Sequence, residues 1–284
     1  MKTLLIATDF STAARNATEY GLGLAGAFGA EIVLVSAYEQ MPIPVIGSTA
    51  LTSPDDMREI VRGQLEEEAT KLITPATIRH EVLSRKGSTV AAILSAARDT
   101  NADLVIVGMG GSGKTYRKVF GSTATALAGK TPVALLVVPE GAAYAPPFSI
   151  AIASDVLREQ DHQVPAIVLK LAERFQSKLY IIRIFSKQAG EVIEILHHSA
   201  TSDSIVGSFS PLCEIPATNR VADALAQFIS ANPVSMLVMT PHLRSAPEQW
   251  FLRSNTRELI FKTGIPLLIL PGDRHSTTPS SPSN

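Results

Sequence analysis

Residues 103–122 read DLVIVGMGGSGKTYRKVFGS, and this stretch decides the fold of the chain. Its first five residues are mostly apolar and predict a buried strand, which a glycine-rich loop and a helix start then follow. Only glycine lets a backbone turn tightly and approach a phosphate chain without a Cβ in the way. A strand, a glycine loop and a helix start form the context that a phosphate-binding loop requires. The stretch therefore predicts an α/β fold with a nucleotide site.

Two phosphate-binding patterns fit this stretch, and the first is the P-loop pattern G-x-x-x-x-G-K-T. It puts Gly108, Gly113, Lys114 and Thr115 in register. Under this alternative the protein is an ATPase or phosphotransferase that uses Lys114 and Thr115. A P-loop normally follows the first strand of its own domain, yet 107 residues precede Gly108 here. The strand that follows the loop also lacks the terminal Asp that holds magnesium, so the P-loop interpretation is disfavoured.

An internal repeat organises the whole chain. Four segments of the first half resemble four segments of the second half in the same order: Thr3–Asp9 and Ser149–Asp155, Glu31–Tyr38 and Lys178–Phe185, Leu104–Val107 and Met236–Met239, Ser122–Pro139 and Ser254–Pro271. Such self-similarity predicts two copies of one fold in tandem. We expect a first domain over residues 1–140, a linker over 140–147, a second domain over 147–272, and a disordered tail over 273–284.

Each half alternates apolar strands with amphipathic helices. In the first half, strands are expected near residues 2–8, 31–37, 78–84, 103–107 and 133–138. Helices are expected after Ser11, Ser53 and Ser88, because serine is a favoured residue at helix N-caps. This alternation predicts a parallel sheet that is covered by helices on both faces.

Two further segments are assigned from composition and periodicity. Met41–Ser53 contains prolines, glycine and polar residues and is expected to be a long loop. Glu191–Ala200 is expected to be an amphipathic helix. Its adjacent residues His197 and His198 would point to different faces, so they do not predict a metal pair.

The second phosphate pattern is G-x2-G-x9-G-S, which puts Gly108, Gly111, Gly121 and Ser122 in register without a gap. With Asp9 at the end of the first strand and the repeated apolar strands, this pattern makes the chain resemble the universal stress protein family over both halves. In the ATP-binding branch of that family, the same pattern follows strand 4.

The resemblance implies a fold and an internal interface. It implies two tandem Rossmann-like domains, each a five-stranded parallel sheet of order 3-2-1-4-5 with helices on both faces. In the family the last strands pair across a two-fold interface. Within this one chain, that interface would join Val133–Val138 to Leu267–Leu270, and a dimer of tandem chains is a further expectation.

The resemblance also implies positions that bind ATP, which we expect to carry Mg²⁺. Asp9 would lie beside the adenine and ribose, and Ala37 would bond the adenine through its backbone. Gly121, Ser122 and Thr123 would receive the polyphosphate. The full implied set is Ala7, Thr8, Asp9, Ala37, Gly108, Met109, Gly111, Lys114, Gly121, Ser122 and Thr123.

The second half departs from the pattern. Thr240, Leu243 and Arg253 stand where the first half has its three pattern glycines. Side chains would then occupy the places where backbone must approach phosphate, so we expect a degenerate second site and one ATP per chain.

Composition restricts the remaining function classes. The net charge of −1 indicates neither a nucleic-acid nor an anionic-membrane partner, and no apolar run approaches the roughly 20 residues that span a bilayer. The single cysteine, Cys213, fits a reducing cytoplasm. No Cys/His spacing indicates zinc, and no catalytic residue is identified. We expect an ATP-binding stress-response regulator with at most slow hydrolysis, a homo-oligomer with an unknown regulatory protein partner. The remaining alternative is a protein-interaction module that binds no nucleotide.

Overall fold

The structure of the chain is a computed structural model, which describes residues 1–39, 42–45, 48–51, 54–73, 78–110, 122–128, 130–154, 164–187, 190–198, 210–216, 221–239 and 264–271. Within these ranges no helix combines the length and the apolar character that crossing a bilayer requires.

Strands and helices alternate through most of the chain. The strands are β1 Thr3–Ala7, β2 Glu31–Tyr38, β3 Pro42–Val45, β4 Ser48–Leu51, β5 His80–Lys86, β6 Leu104–Met109, β7 Ala134–Pro139, β8 Ser149–Ser154, β9 Lys178–Lys187, β10 Gly190–His198, β11 Ser210–Pro216, β12 Met236–Met239 and β13 Leu267–Ile269. The helices are α1 Thr12–Phe28, α2 Pro54–Leu72, α3 Thr89–Asp99, α4 Ser122–Ala128, α5 Ala166–Phe175 and α6 Val221–Ala231.

The first half, β1 to β7 with α1 to α4, forms a parallel sheet in the order β5-β2-β1-β6-β7. This is the predicted order 3-2-1-4-5. Strands β1, β2, β6 and β7 are almost wholly buried. Two core clusters, one on each face, cover them. Coverage on both faces explains why these strands are continuous apolar runs without polar alternation.

Helix α1 begins where the sequence predicts, directly after Ser11. The Ser11 hydroxyl accepts a hydrogen bond from the Ala14 N–H and caps the N-terminus, while Gly29 ends the helix in a left-handed conformation. An apolar stripe through Ala17, Gly21 and Leu24 is buried against the sheet. Helix α1 therefore lies fixed across β6 and β7, with its first turn at the carboxyl edge of the sheet.

The two halves join in one sheet through their last strands. β13 pairs with β7 in antiparallel orientation, in the register Leu267 to Val137 and Ile269 to Leu135. This confirms the predicted pairing and gives an eleven-stranded sheet. Phe28 and Phe175 end equivalent helices of the repeat, and their rings meet edge to face at 5.8 Å between centroids. We call this β7–β13 pairing the seam.

The second half, β8 to β13 with α5 and α6, repeats the first in its inner strands but differs at its edge. The order β9-β8-β12-β13 is parallel and matches β2-β1-β6-β7. Beyond β9, β10 and β11 add in antiparallel orientation, where a parallel fifth strand was expected.

The helix predicted over Glu191–Ala200 is wrong, because this segment falls largely in strand β10. Its run Val192-Ile193-Glu194-Ile195 is rich in β-branched residues, which pack well on a pleated surface. Strand β9 also offers N–H and C=O groups that β10 pairs over nine residues. Sheet pairing therefore outweighs the helical periodicity.

The loop predicted over Met41–Ser53 contains regular structure instead. Strands β3 and β4 form a separate two-stranded antiparallel sheet, in which Pro42 pairs with Leu51 and Val45 with Ser48. In the sequence, Gly47 stands directly before β4, and a glycine between two short runs is typical of a hairpin connection. The tail predicted over residues 273–284 lies outside the described residues.

Candidate functional site

A cavity of about 390 Å³ opens at the carboxyl ends of β1, β2 and β6. From β1 the chain continues to the neighbouring strand β2 on one side, and from β6 it continues to β7 on the opposite side. The strand order therefore reverses between β1 and β6. Open α/β sheets bind ligands at this point. The lining residues are Ala7, Thr8, Asp9, Ser11, Thr12, Ala13, Ala14, Val35, Ala37, Thr89, Ile93, Val107, Gly108, Gly110, Thr123 and Glu140.

Residues from distant parts of the sequence meet in this cavity. Of the eleven positions predicted to bind ATP, those that line it are Ala7, Thr8, Asp9, Ala37, Gly108 and Thr123. The others differ in placement. Met109 is 1% exposed and belongs to the core. Ser122 is the first residue of α4, and Gly111, Lys114 and Gly121 lie outside the described residues.

The turn between β1 and α1 forms one wall of the cavity. The Thr8 N–H donates to the Val35 carbonyl at 2.9 Å, which extends the β1–β2 pairing by one residue. The Thr8 hydroxyl accepts from the Phe10 N–H at 2.9 Å, and the Asp9 carboxylate accepts from the Ser11 N–H at 3.1 Å. Asp9 is exposed at the opening. Its carboxylate thus helps to shape the turn and is also accessible to a ligand.

Gly108 has a packing role that the sequence pattern did not indicate. A Cβ at this position would lie 2.3 Å from the carbonyl oxygen of Ala13 and 2.8 Å from the backbone nitrogen of Ala14. These are backbone atoms in the first turn of α1, so they cannot rotate away. Gly108 therefore lets β6 and α1 approach closely enough to form the cavity wall, apart from any contact with a phosphate.

The sequence patterns did not indicate every residue that lines the cavity, and Glu140 is the clearest case. It follows β7 directly, and its N–H donates to the Met109 carbonyl at 2.9 Å, which holds it beside the end of β6. The sequence assigned Glu140 only to the start of a linker. Since parallel strands end at the same edge, its position after β7 was the signal that could have found it.

The described lining is acidic and rich in hydroxyl groups. Asp9 and Glu140 are its two charged residues, while five Ser and Thr residues line the rest of the polar surface. Positive charge for a phosphate chain has to come from the glycine-rich stretch, where the sequence holds Lys114, Arg117 and Lys118. None of the described residues that line the cavity is His, Cys or Lys. Among the described residues, no group of three His, Cys, Asp or Glu side chains could hold a metal ion.

The first half of the chain matches a known family. Residues 1–139 match the family model described as the universal stress protein family. A universal stress protein of Thermus aquaticus is 29% identical over 137 residues, which are 48% of this chain and 98% of that protein. A universal stress protein of Synechocystis is 29% identical over 138 residues, which are 49% of this chain and 85% of that protein.

A solved structure resembles the chain over both halves. The crystal structure of a universal stress protein from Archaeoglobus fulgidus superposes with a TM-score of 0.66 and covers 95% of this chain and 98% of that one. Sequence identity is 18%, so this likeness concerns the fold.

Proposed function

We propose that this chain, whose residues 1–139 match the model of the universal stress protein family, is an ATP-binding regulator of a stress response. ATP occupies one site per chain, in the first half. The observation that carries this proposal is the cavity at the carboxyl edge of β1, β2 and β6, where six residues from the predicted ATP set converge.

The cavity suits the nucleoside part of ATP. Its volume of about 390 Å³ falls within the range of roughly 300–1,000 Å³ typical of small-molecule sites. Val35, Ala37 and Ile93 offer apolar surface to a flat base. Asp9 and Glu140 accept hydrogen bonds, which suits the amino group of adenine and the hydroxyl groups of ribose.

The polyphosphate extends from the cavity towards Thr123 and the glycine-rich stretch before it. Glycines of the pattern have no Cβ that would keep a phosphate from their N–H groups, and Lys114 would contribute positive charge. Mg²⁺ accompanies the phosphates. Carboxylate and hydroxyl oxygens of the kind found in this lining are the ligands that Mg²⁺ prefers.

Binding, and not turnover, is the activity that we propose. In this proposal hydrolysis is slow at most, and no residue is assigned the role of base for an attacking water. Bound ATP changes the surface around the site and thereby the contacts of a regulatory protein partner. A P-loop phosphotransferase would instead show fast magnesium-dependent turnover that Lys114→Ala abolishes.

The nucleotide content of the purified protein tests this proposal. Protein prepared without added ligand is denatured, and the released nucleotides are separated and identified by mass. We expect ATP or ADP near one per chain. About two per chain would show that the second half also binds. Absence of nucleotide, followed by no binding of ATP with magnesium in calorimetry, would contradict the proposal and favour an interaction module.

The internal repeat supplies matched variants for locating the site. Asp9→Ala removes one of the two carboxylates that line the cavity. It is expected to weaken ATP binding about tenfold, because roughly one charge-assisted hydrogen bond is lost. Asp155→Ala changes the equivalent residue of the second half and should leave the affinity unchanged. Calorimetric titration with Mg–ATP compares the two. A larger loss in the Asp155 variant would place the site in the second half.

A further inference from the structure

Phe10 adopts a backbone conformation that is unusual for its residue type. Its φ angle is 64°, in the left-handed region. Glycine enters this region freely and asparagine does so fairly often, but a bulky side chain there is an outlier. Outliers of this kind persist only where the surrounding structure holds them, and they concentrate at functional sites.

The position of Phe10 shows what this conformation achieves. Residues on both sides of it, Thr8, Asp9, Ser11 and Thr12, line the cavity, whereas Phe10 is not among the lining residues. Its partly buried ring packs against the core cluster under α1 and α2. The left-handed residue therefore turns the chain so that both flanking segments face the cavity while the ring points into the core.

Hydrogen bonds on both sides fix this turn. The Phe10 N–H donates to the Thr8 hydroxyl, and the next N–H, that of Ser11, donates to the Asp9 carboxylate. One carboxylate oxygen of Asp9 is thus engaged within the turn. The direction of the carboxylate depends on where the Ser11 N–H points, and this depends on the backbone conformation of Phe10.

We propose that Phe10 is a positioning residue for the nucleotide site: its left-handed backbone directs the Asp9 carboxylate into the cavity. This inference rests on the proposed ATP site. Phe10 itself touches no ligand and acts through Asp9.

The repeat gives the same position a different residue in the second half. Asp155 repeats Asp9, and the residue after it is Val156. Valine is branched at Cβ and is among the residues least able to adopt a left-handed backbone. The second half thus keeps the acid but follows it with a β-branched residue, which disfavours the turn still further, in agreement with a degenerate second site.

Substitutions at Phe10 separate backbone conformation from ring packing. Phe10→Gly and Phe10→Asn remove the ring but allow a positive φ. Phe10→Val keeps more apolar volume than glycine but disfavours the turn. Phe10→Leu and Phe10→Ile are isomers of equal composition, and only isoleucine is branched at Cβ. Affinity for Mg–ATP is measured by calorimetry, and thermal unfolding is followed by circular dichroism on the same samples.

Among the Gly, Asn and Val variants, the proposal predicts an order of affinity opposite to the order of apolar side-chain volume. The Gly and Asn variants should bind Mg–ATP within about threefold of the original chain, whereas the Val variant should bind about tenfold more weakly. The Ile variant should bind more weakly than the Leu variant, which keeps the comparison available if the Val variant does not fold. Affinity that falls with lost ring volume, weakest for Gly, would overturn the positioning role. An original chain that binds no ATP would overturn the proposed function itself, and the positioning role with it.

Discussion

At the scale of single residues, Gly108 combines two requirements. The sequence pattern explains this glycine by a phosphate, but in the structure its missing Cβ leaves space for the backbone of Ala13. A glycine at this position is therefore required even if no ligand is bound.

This requirement predicts different costs at two neighbouring glycines. Gly108→Ala should lower the free energy of unfolding by about 2 kcal/mol, because its Cβ would overlap backbone atoms that cannot repack locally. Gly110→Ala should change it by less than about 0.5 kcal/mol, since the nearest atom to its Cβ would be 3.7 Å away. Denaturant unfolding compares the two variants. Equal costs would show that the β6–α1 approach is looser than described.

Asp103 links the start of the chain to β6, and its contribution depends on pH. Burial would raise the pKa of this carboxyl group. The backbone N–H groups of Lys2 and Thr3, together with nearby positive charges, outweigh burial and lower the pKa below its ordinary value. A lowered folded-state pKa means that the stabilisation is complete above the unfolded-state pKa of about 4 and is lost as pH falls through the lower folded value.

Asp103→Asn should therefore lower the free energy of unfolding by about 1 kcal/mol at pH 7. The difference from the original chain should shrink as the pH falls below about 4, because both side chains are then neutral. Urea unfolding at a series of pH values measures it. A difference that stays constant down to pH 2 would assign the effect to packing and not to charge.

The placement of some site residues could be predicted from the sequence and that of others could not, because different structural rules determine their positions. Asp9 follows β1 and Ala37 lies near the end of the parallel strand β2, so the common edge of the sheet brings them together, and the sequence was sufficient to predict this. Glu140 obeys the same rule but was hidden by the apparent linker that begins there. The φ angle of Phe10 could not be predicted, because no local preference of phenylalanine favours it and tertiary packing holds it.

At the scale of elements, α1 carries the segment that connects the halves. Asn16 donates to the carbonyls of Pro139 and Ala142, at 2.9 and 3.2 Å. Further along, the Tyr144 ring lies over Gly23 and meets Tyr20 edge to face at 5.3 Å between centroids. The connection is therefore packed along one helix and is not a free tether.

Two glycines of α1 should respond to alanine with opposite signs. Gly23→Ala places a Cβ 2.3 Å from the Tyr144 ring, so the ring must move and the protein should lose about 1–2 kcal/mol. Gly26→Ala meets nothing within 4 Å and should gain up to about 1 kcal/mol through higher helix propensity. Chemical denaturation gives both values. Higher stability in both variants would mean that the position of the Tyr144 ring does not depend on the missing side chain of Gly23.

Elements with several agreeing signals were predictable, and elements with one signal were not. Helix α1 has a cap, a periodic apolar stripe and a terminal glycine, and it was predicted correctly. Strand β10 has an apolar periodicity that fits helix and strand alike, and its state depends on pairing with β9. Information of that kind lies in the partner strand and not in the segment itself.

At the scale of the whole molecule, the seam unites the halves. Leu136 and Leu268 are fully buried and occupy paired positions in β7 and β13. The relative from Thermus aquaticus matches the first half over 98% of its own length, so a protein of that size exists on its own.

Residues 1–147 alone should therefore fold and self-associate. Without β13, the β7 edge has unpaired N–H and C=O groups beside an apolar surface, and a second β7 can satisfy both. We expect a dimer in light scattering, in contrast to the same fragment mixed with an excess of residues 148–284, which should give a one-to-one complex. A folded fragment that stays monomeric at high concentration would show that β7 needs no partner strand.

The seam also alters how the two halves can diverge. In an assembly of identical subunits, every substitution appears twice, once on each side of the symmetry axis, and a change that suits one side is imposed on the other. Here the paired halves are encoded separately, so each substitution affects one side alone. The first half can keep its cavity while the second half has other residues at the positions of the pattern glycines and antiparallel strands at its edge. The two halves are thus covalently joined but have unlike surfaces. The first half has a cavity of a size that suits a small molecule, and the surface of the second half can change independently of it.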